Sequence, residues 1–267
     1  MEKFMKAQGI PVRVYDSEKG ENTIVLLHGY LETLSVWEDF AAELVNCGYR
    51  VVCVDLPGHG LSDTADDVNT MEFMADMQAE VLDKLEIKTC FVTGHSMGGY
   101  VALAFAKKYP EKTQALCLFH STPNPDTDEK KENRDKEIEL INQGKLDMII
   151  NLSVSRMFAN DNVKKFREKI QEIEENASIA EAQGIIACLR GMKEREDMNP
   201  FLKSFDKPLL LVFGKKDNHI STEVADMLIE RFPQASHVFL ENSGHAGFIE
   251  EAETALQAFT NFSQKLF

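Results

Sequence analysis

The stretch Cys90-Phe91-Val92-Thr93-Gly94-His95-Ser96-Met97-Gly98-Gly99-Tyr100 decides how the rest of the chain reads. An apolar, β-branched run leads into Gly94-x-Ser96-x-Gly98, and a small-residue helix follows from Met97 to Tyr109. The pattern is a strand, a sharp turn and a helix, with a serine at the apex. A side chain on such a turn is forced into strained backbone geometry, and flanking glycines remove the Cβ clashes that would forbid it. The hydroxyl is thereby held clear of the backbone, with the free N–H groups of a helix N-terminus behind it.

Upstream, Phe4–Ala7 and Pro11–Tyr15 flank Gln8-Gly9 as a hairpin at a sheet edge. Thr23–Leu27 is a continuous apolar run of the kind buried on both faces, and it ends in His28-Gly29-Tyr30. Ser35-Val36-Trp37-Glu38 is a capping box that opens a helix, and Gly48 stops it. Arg50–Val54 is the next buried strand, with Asp55-Leu56-Pro57-Gly58-His59-Gly60 as its turn-rich exit. Met71, Met74, Met77, Val81, Leu82 and Leu85 recur at helical spacing. Beyond the serine, Ala115–Phe119 is another short apolar strand. Strands alternating with helices at this spacing imply right-handed crossovers and a mostly parallel sheet, an α/β architecture.

The rhythm then breaks. Eleven of the fourteen residues from Asp126 to Glu139 are charged, and no strand-like run recurs before Pro208. The interval holds helical segments over Asp128–Gln143, Lys145–Phe158, Asn162–Glu175 and Ser178–Arg190. The last is opened by the capping box Ser178-Ile179-Ala180-Glu181 and ended by Gly191. An all-helical stretch between two sheet strands is expected to lie as a lid over the C-terminal strand ends, its charged run a solvated face. The chain thus divides into a core of residues 1–122 and 204–267 and a helical cap of residues 123–203. Alternation resumes with Leu209–Phe213, a helix over Thr222–Phe232, the strand His237–Leu240 and a closing amphipathic helix to Leu266. Met148–Val154 with Met157-Phe158, and Ile185–Leu189 with Met192, either line an apolar acyl pocket or pack the lid's own core.

The 267 residues suit one large α/β domain carrying an insertion, and the chain has an ordinary globular composition, 43% hydrophobic and 27% charged. A net charge of −15, from 29 Lys and Arg against 44 Asp and Glu, argues against nucleic acid or anionic membranes as partners. The five cysteines, Cys47, Cys53, Cys90, Cys117 and Cys188, show no C-x-x-C spacing, and three lie in apolar strands. Buried reduced thiols and a reducing compartment are the expectation. Met1-Glu2-Lys3-Phe4-Met5-Lys6 carries no apolar signal core, and no run of 18 apolar residues occurs, so a cytoplasmic protein without a membrane anchor is expected.

A serine hydroxyl is a poor nucleophile near neutral pH, so Ser96 needs a base within hydrogen-bond reach and a group that orients the base. Ligand chemistry in such sheets gathers at the carboxyl ends of the strands. Of the seven histidines, His245 lies in the loop just past the last strand, whereas His237 starts that strand, at the wrong end. His219 follows Asp217 too closely for both to project independently, and His28, His59 and His120 precede the acid or the serine in chain order. His95 reads as packing or support. His245 is the base, and Asp217, three residues beyond Gly214, is the orienting acid. The alternative acid position, after Ala115–Phe119, offers His120-Ser121-Thr122 and no carboxylate before Asp126. The tetrahedral oxyanion needs donors, for which the backbone N–H groups of Met97 and Tyr30 are the candidates. His28 and the Asp55–Gly60 turn are assigned structural roles.

His28-Gly29-Tyr30, Asp55-Leu56-Pro57-Gly58-His59-Gly60, Gly94-His95-Ser96-Met97-Gly98-Gly99, Gly214-Lys215-Lys216-Asp217 and Gly244-His245 resemble, in order and spacing, the α/β-hydrolase superfamily. The resemblance spans about residue 10 to the C-terminus. It implies an eight-stranded sheet with a helical cap between the sixth and seventh strands, no metal and no organic cofactor. Haloalkane dehalogenases and epoxide hydrolases place Asp where this chain has Ser96, which disfavours those reactions. The synthase of menaquinone biosynthesis also resembles this sequence, yet it typically carries Arg four residues after its nucleophile, where Tyr100 stands here. The expectation is a carboxylesterase-like serine hydrolase acting on a small carboxylic ester, as a monomer or homodimer. The alternatives are a lactone or C–C bond hydrolase, a synthase-like lyase with the same three residues, and a non-catalytic ligand receptor on the same scaffold.

Overall fold

Thr23–Leu27, Arg50–Val54, Cys90–His95 and Leu209–Gly214 are apolar nearly throughout, and each forms a strand covered on both faces. The computed structural model describes residues 1–266. Its strands are β1 (Glu2–Ala7), β2 (Ile10–Asp16), β3 (Thr23–Leu27), β4 (Arg50–Val54), β5 (Cys90–His95), β6 (Thr113–Phe119), β7 (Leu209–Gly214) and β8 (Ser236–Leu240). They form one sheet in the order β1-β2-β4-β3-β5-β6-β7-β8. The β1–β2 hairpin turns at Gln8 and Gly9, both at positive φ, and β2 adds to β4 antiparallel, while every other pairing is parallel.

The parallel registers place Leu27 beside Gly94, His95 beside Phe119, Phe119 beside Val212 and Gly214 beside Leu240. The segments that begin at His28, Ser96, His120, Lys215 and Glu241 therefore all leave the sheet at one rim. Helices α1 (Glu38–Asn46), α2 (Met71–Lys84), α3 (Met97–Lys108), α9 (Thr222–Arg231), α10 (Gly247–Glu250) and α11 (Ala252–Ser263) pack against it. An aromatic cluster seals α1 and α11 to the sheet, with Trp37 and Phe248 rings 4.3 Å apart and Phe91 stacked on Phe259 at 4.8 Å.

Between β6 and β7 come α4 (Asp128–Asn142), α5 (Leu146–Met157), α6 (Arg167–Ala177), α7 (Ala182–Glu194) and the short α8 (Asn199–Lys203). Only Ile141 of α4 is fully buried, in keeping with a solvated charged face, yet Arg134 and Glu137 are half-buried and turn toward the sheet rim. Met148 and Leu152 are exposed, while Ile149, Ile150, Val154, Met157 and Phe158 are buried, as are Ile185–Leu189 and Met192.

Several helix boundaries differ from the sequence expectation, among them α6, expected from Asn162 but beginning at Arg167 after a run of turns. Thr33, not Ser35, caps the first helical turn, a 3-10 segment over Leu34–Trp37, because its hydroxyl accepts from the Ser35 amide. α7 begins at Ala182 rather than at Ser178, whose hydroxyl is spent on the Glu175 carbonyl at the end of α6. Gly191 lies inside α7 instead of ending it; a Cβ there would collide with the Asn69 carbonyl, so the glycine serves close approach. All five cysteines are free, four of them buried, and burial pushes the Cys90 and Cys188 thiols up to about 12. Among the described residues no helix is long and apolar enough to cross a membrane.

Candidate active site

Ser96 sits at φ 49°, ψ −114°, a left-handed conformation for a residue with a Cβ, which costs about 1–3 kcal/mol. Three hydrogen bonds hold it there. Its amide donates to the Phe119 carbonyl at 3.1 Å, and its own carbonyl accepts from Ser121 Oγ at 2.7 Å and the Gly99 amide at 3.0 Å. A Cβ on Gly94 would collide with the Gly98 carbonyl, and one on Gly98 with the Leu27 carbonyl. The glycines therefore let the α3 N-terminus press against β3 and β5. The hydroxyl-bearing residue itself stays partly accessible.

Asp217, just past β7, receives four donors. Its Oδ1 accepts from the amides of His219 at 2.7 Å and Ile220 at 3.0 Å. Its Oδ2 accepts from His245 Nδ1 at 2.7 Å and from His120 Nδ1 at 3.2 Å. Burial alone would raise the carboxyl, but the His245 and His120 contacts outweigh it and hold Asp217 far below the usual carboxylate range. With Nδ1–H of His245 aimed at the carboxylate, Nε2 is left as the basic nitrogen.

Chain order argues against His120 as the base, yet it stands 97 residues from Asp217 in sequence and beside it in space. Its Nε2 accepts from the Gly247 amide at 3.2 Å, so the proton lies on Nδ1 and the ring is neutral. Burial lowers it to about 4. Its backbone, at φ 47°, is another left-handed non-glycine at the rim. The ligand-capable atoms of His120, Asp217 and His245 lie within 4.8 Å of one another, the one such group among the described residues. Here each imidazole already satisfies the carboxylate through its own proton. Of the other histidines, His237 lies at the opposite end of β8, and the His219 ring stands 4.6 Å from that of His245.

The amides of Tyr30 and Met97 have no acceptor among the described residues, whereas the Gly29 amide is taken by Glu32 Oε2 at 2.5 Å. His28 steadies that loop, its Nε2 accepting from the Leu56 amide at 2.8 Å and its Nδ1 donating to the Gly29 carbonyl at 2.7 Å. Asp55 holds the neighbouring turn through the amides of Leu34 and Leu61, as expected of a structural residue. His95 is more than packing. It links Glu32 Oε2, 2.9 Å from Nδ1, to the His245 carbonyl, 2.8 Å from Nε2.

The loop carrying His245 is also tied to the helical insertion. The His245 amide donates to the Met157 carbonyl at 2.5 Å. Buried Glu250 accepts from the Gly244 and Ala246 amides through Oε1, and from the Ala159 amide and Asn162 Nδ2 through Oε2. On the other side, Tyr30 Oη donates to Glu137 Oε1 of α4 at 2.7 Å. In the sequence nothing distinguishes Glu32 and Glu250 from other loop and helix polar residues, and His120 is weighed there only as a base. The position of His120 directly after a buried strand was the one available signal.

Comparison with known proteins places the chain among hydrolases. A family model described as serine aminopeptidase, S33 (Hydrolase_4), matches residues 18–252. The chain is 27% identical to a 2-hydroxy-6-oxononadienedioate/2-hydroxy-6-oxononatrienedioate hydrolase from Paraburkholderia phymatum, over 95% of this chain and 92% of that protein. It is 28% identical to a pimeloyl-[acyl-carrier protein] methyl ester esterase from Aeromonas hydrophila, over 90% of this chain and 94% of that one. A solved structure of a thermophilic esterase from Thermogutta terrifontis, with malate bound, superposes with a TM-score of 0.92 at 28% identity, covering 100% of this chain and 99% of the other.

Proposed function

We propose, from the premise that this chain belongs to the serine aminopeptidase, S33 family of hydrolases, that it is a serine esterase acting on a small carboxylic ester. Ser96 Oγ attacks the carbonyl carbon while His245 Nε2 takes its proton, and the amides of Tyr30 and Met97 receive the oxyanion. His245 then protonates the departing alcohol, leaving an acyl-enzyme on Ser96. Water, deprotonated by the same nitrogen, releases the acid. Asp217 stays ionised throughout and keeps the His245 proton on Nδ1. The helices of residues 123–203 form the cap over this site, and the chemistry calls for no cofactor.

The observation that carries this reading is the 2.7 Å pairing of His245 Nδ1 with Asp217 at the rim where a serine is held at positive φ. The esterase names of the Aeromonas and Thermogutta relatives support it. Four buried, reduced cysteines are consistent with a cytoplasmic enzyme. The Paraburkholderia relative favours a second reading, hydrolysis of a C–C bond by the same three residues.

The test is turnover of p-nitrophenyl esters from acetate to octanoate beside a vinylogous diketone, with fluorophosphonate labelling. Wild-type protein should be labelled at Ser96 and should hydrolyse the esters, and Ser96→Ala should lose both while remaining folded. Substantial activity left in Ser96→Ala overturns the assignment. An unlabelled, inactive wild type indicates a ligand receptor instead, and preference for the diketone indicates the C–C hydrolase.

A further inference from the structure

Behind the serine turn lies a second carboxylate–imidazole pair, that of Glu32 and His95. Both side chains are buried, with 0% and 1% of their surface exposed. Glu32 Oε2 faces His95 Nδ1 at 2.9 Å and accepts the Gly29 amide at 2.5 Å, and His95 Nε2 faces the His245 carbonyl at 2.8 Å. A carbonyl oxygen can only accept, so Nε2 carries a proton; a carboxylate oxygen also accepts, so Nδ1 carries another. The ring is then an imidazolium. One continuous chain of hydrogen bonds runs from the amide next to Tyr30, through a charge pair, to the backbone of His245.

We infer that Glu32 and His95 are positioning residues for acyl transfer, a buried carboxylate–imidazolium pair that holds the Gly29–Tyr30 amides and the His245 loop at a fixed separation. Its kinetic part rests on the serine-hydrolase reading; the charge state of His95 does not. Burial by itself lowers His95, but the charge and hydrogen bond of Glu32 overcome this and leave it above the ordinary imidazole value. Burial likewise would raise Glu32, and the His95 contact leaves it lowered. The other groups facing His95 are the rings of His245 at 5.0 Å, His120 at 6.0 Å, Phe248 at 5.0 Å and Trp37 at 6.3 Å, and Asp217, His28 and His219 also act on it electrostatically. Glu32 is thus the anion in direct contact.

Glu32→Gln tests the pair because an amide cannot serve it. One carbonyl oxygen can still accept from Gly29 and His95, but the amide NH2 then sits where Glu32 Oε1 is buried with no hydrogen-bond partner. A neutral His95 would also have one nitrogen without a proton facing an acceptor. The oxyanion amides and the base would lose their common anchor, and small misplacements of catalytic groups cost up to about 100-fold in rate.

The experiment is 15N NMR of the His95 ring in the wild-type protein at pH 8, followed by steady-state kinetics of Glu32→Gln on p-nitrophenyl acetate. Both His95 nitrogens should be protonated at pH 8, where an ordinary imidazole, with a pKa of about 6.5, is neutral. Glu32→Gln should lose that signature and about 10- to 100-fold in kcat with KM changed by less than about twofold. A neutral His95 in the wild type overturns the inference, as does a folded Glu32→Gln with wild-type kcat. Should Glu32→Gln not fold, the wild-type spectrum decides. A wild type that fluorophosphonate leaves unlabelled removes the esterase reading and leaves the spectral test of the pair intact.

Discussion

His120 Nδ1 lies 3.2 Å from Asp217 Oδ2, the same oxygen that His245 Nδ1 reaches at 2.7 Å. The strands that end in these loops, β6 and β7, are neighbours, so the contact is a direct product of sheet order. One carboxylate oxygen therefore bridges two imidazoles, of which only His245 has an uncommitted basic nitrogen, since His120 Nε2 already accepts from Gly247.

Removing that second imidazole should weaken catalysis without abolishing it. His120→Phe should lower kcat about tenfold, whereas Asp217→Asn should lower it about 10⁴-fold if the known triad behaviour carries over. Steady-state kinetics on one ester measures both. Equal losses in the two variants would mean that His120 belongs to the reacting machinery itself.

Mild acid should destabilise the fold through its buried neutral histidines. Burial lowers His28, His59 and His120 below the ordinary imidazole value of about 6.5, His120 to about 4. Between those values the unfolded chain binds protons that the native chain does not, so stability falls as pH falls from about 6.5 to 4. His95 has the opposite sign: it is raised, its contribution is complete below 6.5, and it is lost only as pH climbs through its raised value. The His120 share is on the order of 3 kcal/mol. Thermal melts from pH 7.5 to 4 should show Tm dropping within this window, and a flat Tm would contradict the buried neutral histidines.

Glu250 should couple the cap helices to the base. Its Oε1 serves the amides on either side of His245 and its Oε2 serves Ala159 and Asn162 of the insertion, so Glu250→Gln can satisfy one side and must face donors with a donor on the other. Leaving such buried groups unsatisfied costs about 1–3 kcal/mol. Denaturant unfolding and ester kinetics should both register the change, as a lower midpoint and a lower kcat. A variant with normal stability and normal kcat would show that the loop is held in place without Glu250.

The sequence made the core architecture legible because its signals are local and repeated. Continuous apolar runs became central strands, the Gln8-Gly9 turn became a hairpin, and glycines at 94 and 98 marked a close strand–helix approach. Helix starts were less legible where two hydroxyl residues compete, as with Thr33 against Ser35, since a cap is chosen by backbone geometry and not by residue type. Gly191 looked like a stop signal and is instead the point at which α7 meets the Asn69 backbone.

Chemistry that depends on residue type and on the end of a strand was thus set by the sequence itself: a serine on a glycine-flanked turn, and an aspartate and a histidine each just past a strand. Tertiary structure alone decided which polar groups share a proton or a carboxylate. Glu32 and His95 are 63 positions apart, His120 and Asp217 are 97, and Glu250 and Ala159 are 91. No periodicity links such pairs along the chain. They meet because a parallel sheet gathers the loops at one rim, where burial removes water and makes each remaining donor find a partner.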